Sequence, residues 1–303
     1  MKTNRRSFVG AASALALPDS SAAQPQGSEL RVAACQILTY PDTRRSAAKI
    51  CSWIEKAAQE KIDVVAFPEA VVCGYCCDPE YWKSAQPSDF LAAEETIAST
   101  ARRLDVAVVL GTAHWDGGNV YNSVLAIDRD GRARGRYAKT FLAESWPTPG
   151  NKLPILTLAG VKSCFIICHD IRYPELVRLP AAAGAQICYY VSNESGLVEE
   201  HKLSAYRAMP ISRATENSIY LVMANAPADP KDMLSPSQSH GSSKIVHPNG
   251  TVLNEAGYFQ ERLVSSTIDL KAADRAMARR AAAEGSAVSQ WIREGIKLVK
   301  DNA

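Results

Sequence analysis

The thiol of Cys168 is the side chain in this sequence best placed to do chemistry. A strand-forming run, VKSCFIIC (161–168), ends at this cysteine, and Pro174-Glu175 then opens a helical stretch. This order puts the sulfur at the carboxyl end of a strand, where α/β sheets bind their ligands. A free thiol has a pKa of about 8.5 and the thiolate is the nucleophile, so Cys168 needs a base close by.

Two other residues follow similar segments and could supply the missing groups. Glu69 closes the run DVVAFPE (63–69), and Lys139 lies in GRYAKTFL (135–142). Amide hydrolysis by a thiol requires a base, stabilisation of the tetrahedral oxygen and a proton for the leaving nitrogen. Glu69 suits the first and third roles, because burial at a strand end would raise its pKa towards neutrality. Lys139 suits the second, although spacing alone would favour one more solvated lysine.

Taken in order, these segments resemble the carbon–nitrogen hydrolase (nitrilase/amidase) superfamily, in its amidase-like branch. The matching pieces are FPEA (67–70) with Gly74-Tyr75 after it, RYAKT (136–140) and CHDIRYPE (168–175). The resemblance implies a Glu69–Lys139–Cys168 triad, with Glu69 as base and then acid, Lys139 as oxyanion stabiliser and Cys168 as nucleophile. It also implies that Glu144, in FLAESW (141–146), positions the substrate and assists the nucleophile.

Further substrate contacts are expected around the triad. The backbone N–H of His169 follows the nucleophile and suits a second oxyanion donor, whereas its side chain diverges from Cys168 and is a poor base. Tyr75 could line the substrate pocket. In the family, the residues that follow the next strand after Cys168 recognise the acyl group of the substrate. Any of these polar residues could instead be simply solvated. The expected contacts are Tyr75, Trp146, His169, Asn193, Glu194 and Ser195.

The fold class follows from the order of the elements. Strands alternate with helices, and hairpin signals such as Asp130-Gly131 join neighbouring strands, which predicts one α/β domain with a mixed sheet. The resemblance implies a nitrilase-like α-β-β-α sandwich of two mixed sheets packed face to face, and a homodimer or higher homo-oligomer. We expect Pro210 to kink or divide the helix from Leu203 to Asn217, and a final helix from Ala272 to Glu284.

The sequence after Cys168 narrows the substrate class. CHDIRYPE resembles amidases more than nitrilases, which tend to carry tryptophan and glutamate after the cysteine. We therefore expect a thiol-dependent hydrolase of a small aliphatic or dicarboxylic-acid monoamide, acting through a Cys thioester and releasing ammonia. The alternatives are an N-carbamoyl amide hydrolase, a nitrilase, or a catalytically silent binding protein on the same scaffold. A lipoprotein-modifying acyltransferase would need membrane-spanning helices, and no apolar run after the N-terminus is long enough.

No cofactor or metal is expected. A zinc site at Cys73, Cys76 and Cys77 would want a second ligand pair at matching spacing, and the sequence has none. One of these thiols could instead form a disulfide in an oxidising compartment.

The N-terminus has the features of an export signal. Arg5-Arg6 precede a short apolar run, and Ser21 and Ala23 are small residues placed for cleavage. This pattern predicts a twin-arginine signal in a bacterium and a periplasmic or secreted protein; the alternative is a disordered basic tail. The chain then divides into a signal (1–23), a carbon–nitrogen hydrolase domain (30–285) and a C-terminal tail (286–303).

The charge of the remaining chain is balanced. Removal of the signal leaves 31 basic and 31 acidic residues. A balanced surface gives no reason to expect nucleic acid or an anionic membrane as a partner. A small-molecule amide is therefore the expected partner.

Overall fold

The computed structural model describes residues 28–76, 78–195, 200–231, 239–283 and 285–287. The predicted signal peptide, Cys77 and most of the predicted C-terminal tail lie outside these residues.

The twelve strands that the structure describes form two sheets of six. In each, three parallel strands in the middle are flanked by antiparallel ones. The first sheet, in the order β12-β1-β2-β3-β4-β5, contains β1 (Glu29–Gln36), β2 (Val64–Ala66), β3 (Ala107–Asp116), β4 (Asn119–Ile127), β5 (Ala133–Ala138) and β12 (Arg262–Asp269). The second, in the order β11-β10-β9-β8-β7-β6, contains β6 (Leu156–Leu158), β7 (Val161–Ile167), β8 (Ile187–Ser192), β9 (Tyr220–Asn225), β10 (Lys244–Val246) and β11 (Val252–Glu255).

The two sheets pack face to face over a shared apolar core. Side chains alternate along a strand, so β1 sends Val32 and Ala34 into the core between the sheets, and Ala33 and Cys35 towards the helices. Burial on both faces explains why the central strands read as continuous apolar runs in the sequence.

Helices cover the outer faces of both sheets. The helix α1 begins after Asp42, whose side chain accepts a hydrogen bond from the N–H of Arg45 at 3.0 Å, and its apolar stripe packs on the first sheet. The helices are α1 (Thr43–Gln59), α2 (Pro79–Ser84), α3 (Pro87–Leu104), α4 (Glu175–Ala183), α5 (Glu200–Thr215) and α6 (Ala276–Ala282). The predicted α-β-β-α sandwich of two mixed sheets is thereby confirmed.

The structure corrects two details of the predicted helices, the division at Pro210 and the start of the last helix. The helix α5 continues through Pro210 as a single helix and is not divided there. The last described helix is shorter than expected, because Asp269 caps a 3-10 turn at Leu270–Ala272 and Arg275 adopts a left-handed φ of +59°. The short helix α2 was not expected from the sequence.

The described cysteines are all free thiols, including Cys73 and Cys76. Within the described ranges, no group of three or more His, Cys, Asp or Glu side chains is arranged to hold a metal ion. None of the helices described there is long and apolar enough to cross a membrane.

Candidate active site

The ends of strands from both sheets meet where the chemical residues were expected. Glu69 lies three residues beyond β2, Lys139 directly follows β5, and Cys168 directly follows β7. The N–H of Glu69 donates to the carbonyl of Ser192, the last residue of β8, at 3.4 Å. This bond ties the end of the first sheet to the end of the second.

Lys139 is the centre of a buried cluster of charges. Its Nζ lies 2.8 Å from Oε1 of Glu69 and 2.6 Å from Oε1 of Glu144, and the side chains of all three are at most 4% exposed. Burial opposes the charged form of Lys139, but the charges of Cys168, Glu69 and Glu144 outweigh burial and hold its pKa well above the ordinary value. Lys139 is therefore a permanent cation in this site.

The carboxyl group of Glu69 is fixed by three donors. Oε1 accepts from Nδ2 of Asn122 at 2.7 Å as well as from Lys139, and Oε2 accepts from the N–H of Asn193 at 2.9 Å. Burial nevertheless dominates and raises its pKa to about 8, with the charge of Lys139 opposing the rise. Glu69 can thus both take and give a proton near neutral pH.

A glycine on the neighbouring strand permits this placement. Gly111 of β3 lies against the backbone before Glu69: a Cβ at this position would be 2.0 Å from the carbonyl oxygen of Pro68 and 2.8 Å from Cα of Glu69. Only a residue without a side chain allows the two segments to approach so closely.

Glu144 behaves differently from Glu69 although both contact Lys139. Its Oε1 also accepts from the hydroxyl of Tyr75 at 2.7 Å, and its Oε2 accepts from the N–H of Ala143 at 3.1 Å. Burial alone would raise its pKa, but the charge and hydrogen bond of Lys139 outweigh it, so the pKa is lowered. The pair therefore divides into a group that titrates and a group that stays ionised.

Cys168 adopts a left-handed backbone conformation with φ of +47°, which is rare outside glycine and marks a strained turn. Asp170 holds this turn: its carboxylate accepts from the N–H groups of Ile167 at 3.1 Å and Phe141 at 2.8 Å, and from the hydroxyl of Tyr137 at 2.7 Å. The turn presents the thiol at the end of β7.

The thiol of Cys168 is protonated at rest. Burial, followed by the charges of Glu194 and Glu69, raises its pKa well above the ordinary value, and Lys139 only partly opposes this. Cys168 therefore interacts electrostatically with the whole Glu69–Lys139–Glu144 cluster, and it needs a base to become a nucleophile.

A family model described as carbon-nitrogen hydrolase matches residues 31–277. The chain belongs to this family. A relative, the (R)-stereoselective amidase of Pseudomonas sp, is 33% identical over 221 residues, covering 70% of this chain and 76% of the relative. The 2-oxoglutaramate amidase of Bacillus subtilis is 29% identical over 240 residues, covering 77% of this chain and 88% of the relative.

Solved structures with the same fold agree. An amidase from Nesterenkonia sp. AN1 in complex with acrylamide has a TM-score of 0.75 at 22% identity, covering 89% of this chain and 98% of that chain. Nit3 of Saccharomyces cerevisiae, a member of the nitrilase superfamily, has a TM-score of 0.73 at 23% identity, covering 86% of this chain and 96% of that chain. These structures show the fold, and the family model with the two amidase relatives identifies the chain as a carbon–nitrogen hydrolase of the amidase-like branch, an enzyme acting on non-peptide amide bonds.

The structure places some of the expected substrate contacts of the hydrolase at the charged cluster and others away from it. Tyr75 and Asn193 contact the charged cluster, Asn193 through its backbone N–H. Ser195 pairs with Ser239 in an isolated β-bridge next to Glu194. Trp146 instead stacks on Trp82 at 3.7 Å between ring centroids, within an aromatic cluster.

The His169 side chain is half-buried, and its ring lies 5.9 Å from that of Tyr173. Burial lowers its pKa, so the imidazole is neutral at pH 7. Substrate contacts by His169, Trp146 and the other expected residues remain predictions.

Sequence reasoning missed three polar side chains of this site: Asn122, Tyr190 and Tyr206. Asn122 donates to Glu69, Tyr190 donates to Glu194, and Tyr206 interacts electrostatically with Glu194. Asn122 did carry a signal, since a polar amide lies inside an apolar strand. The tyrosines carried none, because aromatic residues are ordinary in strands and helices.

Proposed function

We propose that this hydrolase cleaves small monoamides through a thioester on Cys168 and releases ammonia. The observation that carries the proposal is the buried ammonium of Lys139, which joins a titrating carboxyl, Glu69, to an ionised one, Glu144, beside a protonated thiol. Such a set supplies a nucleophile, a proton acceptor and a fixed positive charge in a site shielded from water.

In the first step, the sulfur of Cys168 attacks the amide carbon while Glu69 takes the thiol proton. The electron pair of the C=O bond moves onto oxygen, and the ammonium of Lys139 and the backbone N–H of His169 stabilise that charge. A single donor of this kind is worth about 3 kcal/mol of barrier. Coupling proton transfer to attack is required because the free thiol holds its proton tightly.

In the second step, the carbon–nitrogen bond breaks and Glu69 returns its proton to the departing nitrogen, which leaves as ammonia. A water molecule, deprotonated by the same Glu69, then attacks the thioester, and the thiolate departs and is reprotonated. The sum is one amide and one water giving one carboxylic acid and one ammonia. Glu144 stays ionised throughout and keeps Lys139 in place.

Variants of the three groups test the proposal by ammonia release. Cys168→Ala should abolish turnover, and Glu69→Gln should lower kcat by about 1,000-fold, within the range of general acid–base catalysis. Cys164→Ala is the matched control, since Cys164 is a buried thiol of the same strand that faces the helices. An unchanged melting temperature for each variant would separate lost chemistry from lost folding.

A covalent readout tests the thioester itself. Acid quenching during turnover should add the acyl mass to the peptide that contains Cys168, and hydroxylamine should remove it. Retention of more than a few per cent of activity in Glu69→Gln would contradict the base assignment. A panel of amides, N-carbamoyl compounds and nitriles identifies the substrate class, and faster turnover of either of the last two would replace the monoamide proposal.

A further inference from the structure

A second buried carboxyl group lies beside the nucleophile, on Glu194. Its residue is 3% exposed, and its Oε1 accepts a hydrogen bond from the hydroxyl of Tyr190 at 2.9 Å. Burial raises the pKa of this carboxyl group, and its interactions with Tyr206, Tyr190 and Cys168 oppose the rise. We call Glu194, Tyr190 and Tyr206 the Glu194 cluster.

The Glu194 cluster is held rigidly by the end of β9. The N–H of Glu194 donates to Oδ1 of Asn225 at 3.0 Å. Asn225 is itself fixed, because its Nδ2 donates to the carbonyl of Gly241 at 2.7 Å and its Oδ1 accepts from the hydroxyl of Ser239 at 3.1 Å. These bonds fix the backbone of Glu194, and the hydroxyl of Tyr190 holds its carboxyl group.

None of the described lysines and arginines forms an ion pair with Glu194. Lys139 is already shared between two other carboxyl groups, Glu69 and Glu144. The guanidinium of Arg172 donates to the hydroxyl of Tyr206 at 3.0 Å. This residue is exposed, and its charge interacts with that of Glu194 without a direct ion pair. The donors to Glu194 are therefore uncharged groups.

The histidines near the site do not change this balance. The ring of His240 lies 5.8 Å from that of Tyr206, and burial lowers its pKa to about 4. The pKa of His169 is lowered as well. Both imidazoles are neutral at pH 7, so neither histidine gives a substrate carboxylate a positive partner beside Glu194 and Glu144.

We propose that the Glu194 cluster selects the acyl group, so that the hydrolase prefers an amide bearing an ammonium group over one bearing a carboxylate. The proposal rests on the proposed function and narrows its substrate class, against a dicarboxylic-acid monoamide. When Glu194 is ionised, a substrate carboxylate a few ångströms away in this buried site should bind about 100-fold less tightly than a neutral group. An ammonium at the same position would form an ion pair with Glu194, which none of the described residues forms.

Three four-carbon amides test this preference with the same reacting group. They are butanamide, its analogue with an ammonium on the terminal carbon, and succinamate, which carries a carboxylate there. The wild-type kcat/KM for the ammonium amide should exceed that for succinamate by about 100-fold, and Glu194→Gln should narrow the ratio to less than about 10-fold. The ratio within one variant is the readout, because a merely structural loss would lower both rates together.

Glu95→Gln is the matched control, since it makes the same chemical change on an exposed face of α3 and should leave the ratio unchanged. Succinamate turnover equal to or faster than that of the ammonium amide in the wild type would overturn the inference while leaving amide hydrolysis intact. A ratio that is the same in wild type and Glu194→Gln would also overturn it.

A second arm does not depend on hydrolysis. The cationic aminoethyl and the anionic sulfonatoethyl methanethiosulfonates each convert a thiolate to a mixed disulfide, and peptide mass locates the product at Cys168. The rate of each reagent with Cys168 is divided by its rate with a free thiol in solution. This relative rate should be higher for the cationic reagent than for the anionic one, and Glu194→Gln should bring the two relative rates closer together. If none of the amides released ammonia, the proposed function would be wrong. The ratio of the reaction rates of the two reagents would still test the charge preference.

Discussion

At the scale of residues, the site consists of the ammonium of Lys139 and the carboxyl groups of Glu69 and Glu144, whose pKa values shift in opposite directions. Glu69 and Glu144 both contact Lys139, yet burial dominates at Glu69, whereas at Glu144 the charge of Lys139 and the hydrogen bonds outweigh it. The same pair of residue types therefore supplies a proton carrier and a fixed anion. Sequence type alone could not assign these roles, since both are glutamates following apolar segments.

The raised pKa of Glu69 predicts an unusual pH dependence. Its base form is the deprotonated one, which predominates above a pKa of about 8. The kcat/KM for a neutral amide should therefore rise with pH and reach half its maximum near 8. At pH 7 it should be about a tenth of the maximum.

Measurement of kcat/KM for butanamide from acidic to alkaline pH checks this, because the substrate itself does not titrate there. A half-maximum near the ordinary pKa of a glutamate, about 4.3, would show that burial does not raise the pKa of Glu69.

Part of the site could be predicted at this scale and part could not. The segments around Glu69, Lys139 and Cys168 were each recognisable, and the structure brings these residues together. The hydrogen bond of Asn122 with Glu69 joins different elements, as does the interaction of Tyr206 with Glu194, and that of Tyr190 with Glu194 spans the end of β8. Which side chain faces the site there depends on strand register and helix rotation, which no local pattern determines.

At the scale of elements, the site is built from strand ends and the turns that follow them. Cys168 leaves β7 in a left-handed conformation, and Asp170 ties that turn to the segment after Lys139. The sequence predicted the strand before the cysteine and the helix after it, but not the positive φ, because cysteine has no preference for that conformation.

The close approach at Gly111 predicts a large effect from one methyl group. In Gly111→Ala, the new Cβ would lie 2.0 Å from the carbonyl oxygen of Pro68, so the backbone that carries Glu69 must move. A displacement of about 1 Å can lower activity by about 100-fold. The crowding should also reduce the free energy of unfolding by about 1–3 kcal/mol.

Amide hydrolysis and urea unfolding of the purified variant measure the two effects. Gly257→Ala is the control, since a Cβ there meets nothing within 4 Å, and it should behave like the wild type. Full activity in Gly111→Ala would mean that the position of Glu69 does not depend on this contact.

At the scale of the whole molecule, the sandwich buries most of its cysteines. Five of the seven described thiols are buried, and Cys164 lies directly opposite Cys188 on the adjacent parallel strand. The alternation of strands and helices predicted one α/β domain with a mixed sheet, whereas the sandwich of two sheets was predicted from the resemblance to the family. The homo-oligomer remains a prediction, which light scattering of the purified protein can check.

We propose that the chain is exported by the twin-arginine route after folding, and the buried thiols give a physical reason. An unfolded chain in an oxidising compartment would expose every cysteine to disulfide formation, whereas the folded chain hides most of them. The double substitution Arg5→Lys with Arg6→Lys should therefore leave active enzyme in the cytoplasm. Fractionation of a bacterial host, with ammonia release measured in each fraction, detects the change.

Replacing residues 1–23 with a signal for export of unfolded chains provides the opposite test. The protein should then reach the periplasm with lower activity per molecule and with disulfide-linked species on non-reducing gels, because Cys164, Cys188 and the other thiols meet oxidant before they are buried. Adding reductant during growth should restore part of the activity. If the protein had the same activity per molecule and the same content of free thiols after either route, folding before export would not protect the cysteines. The proposed reason for a twin-arginine signal would then be wrong.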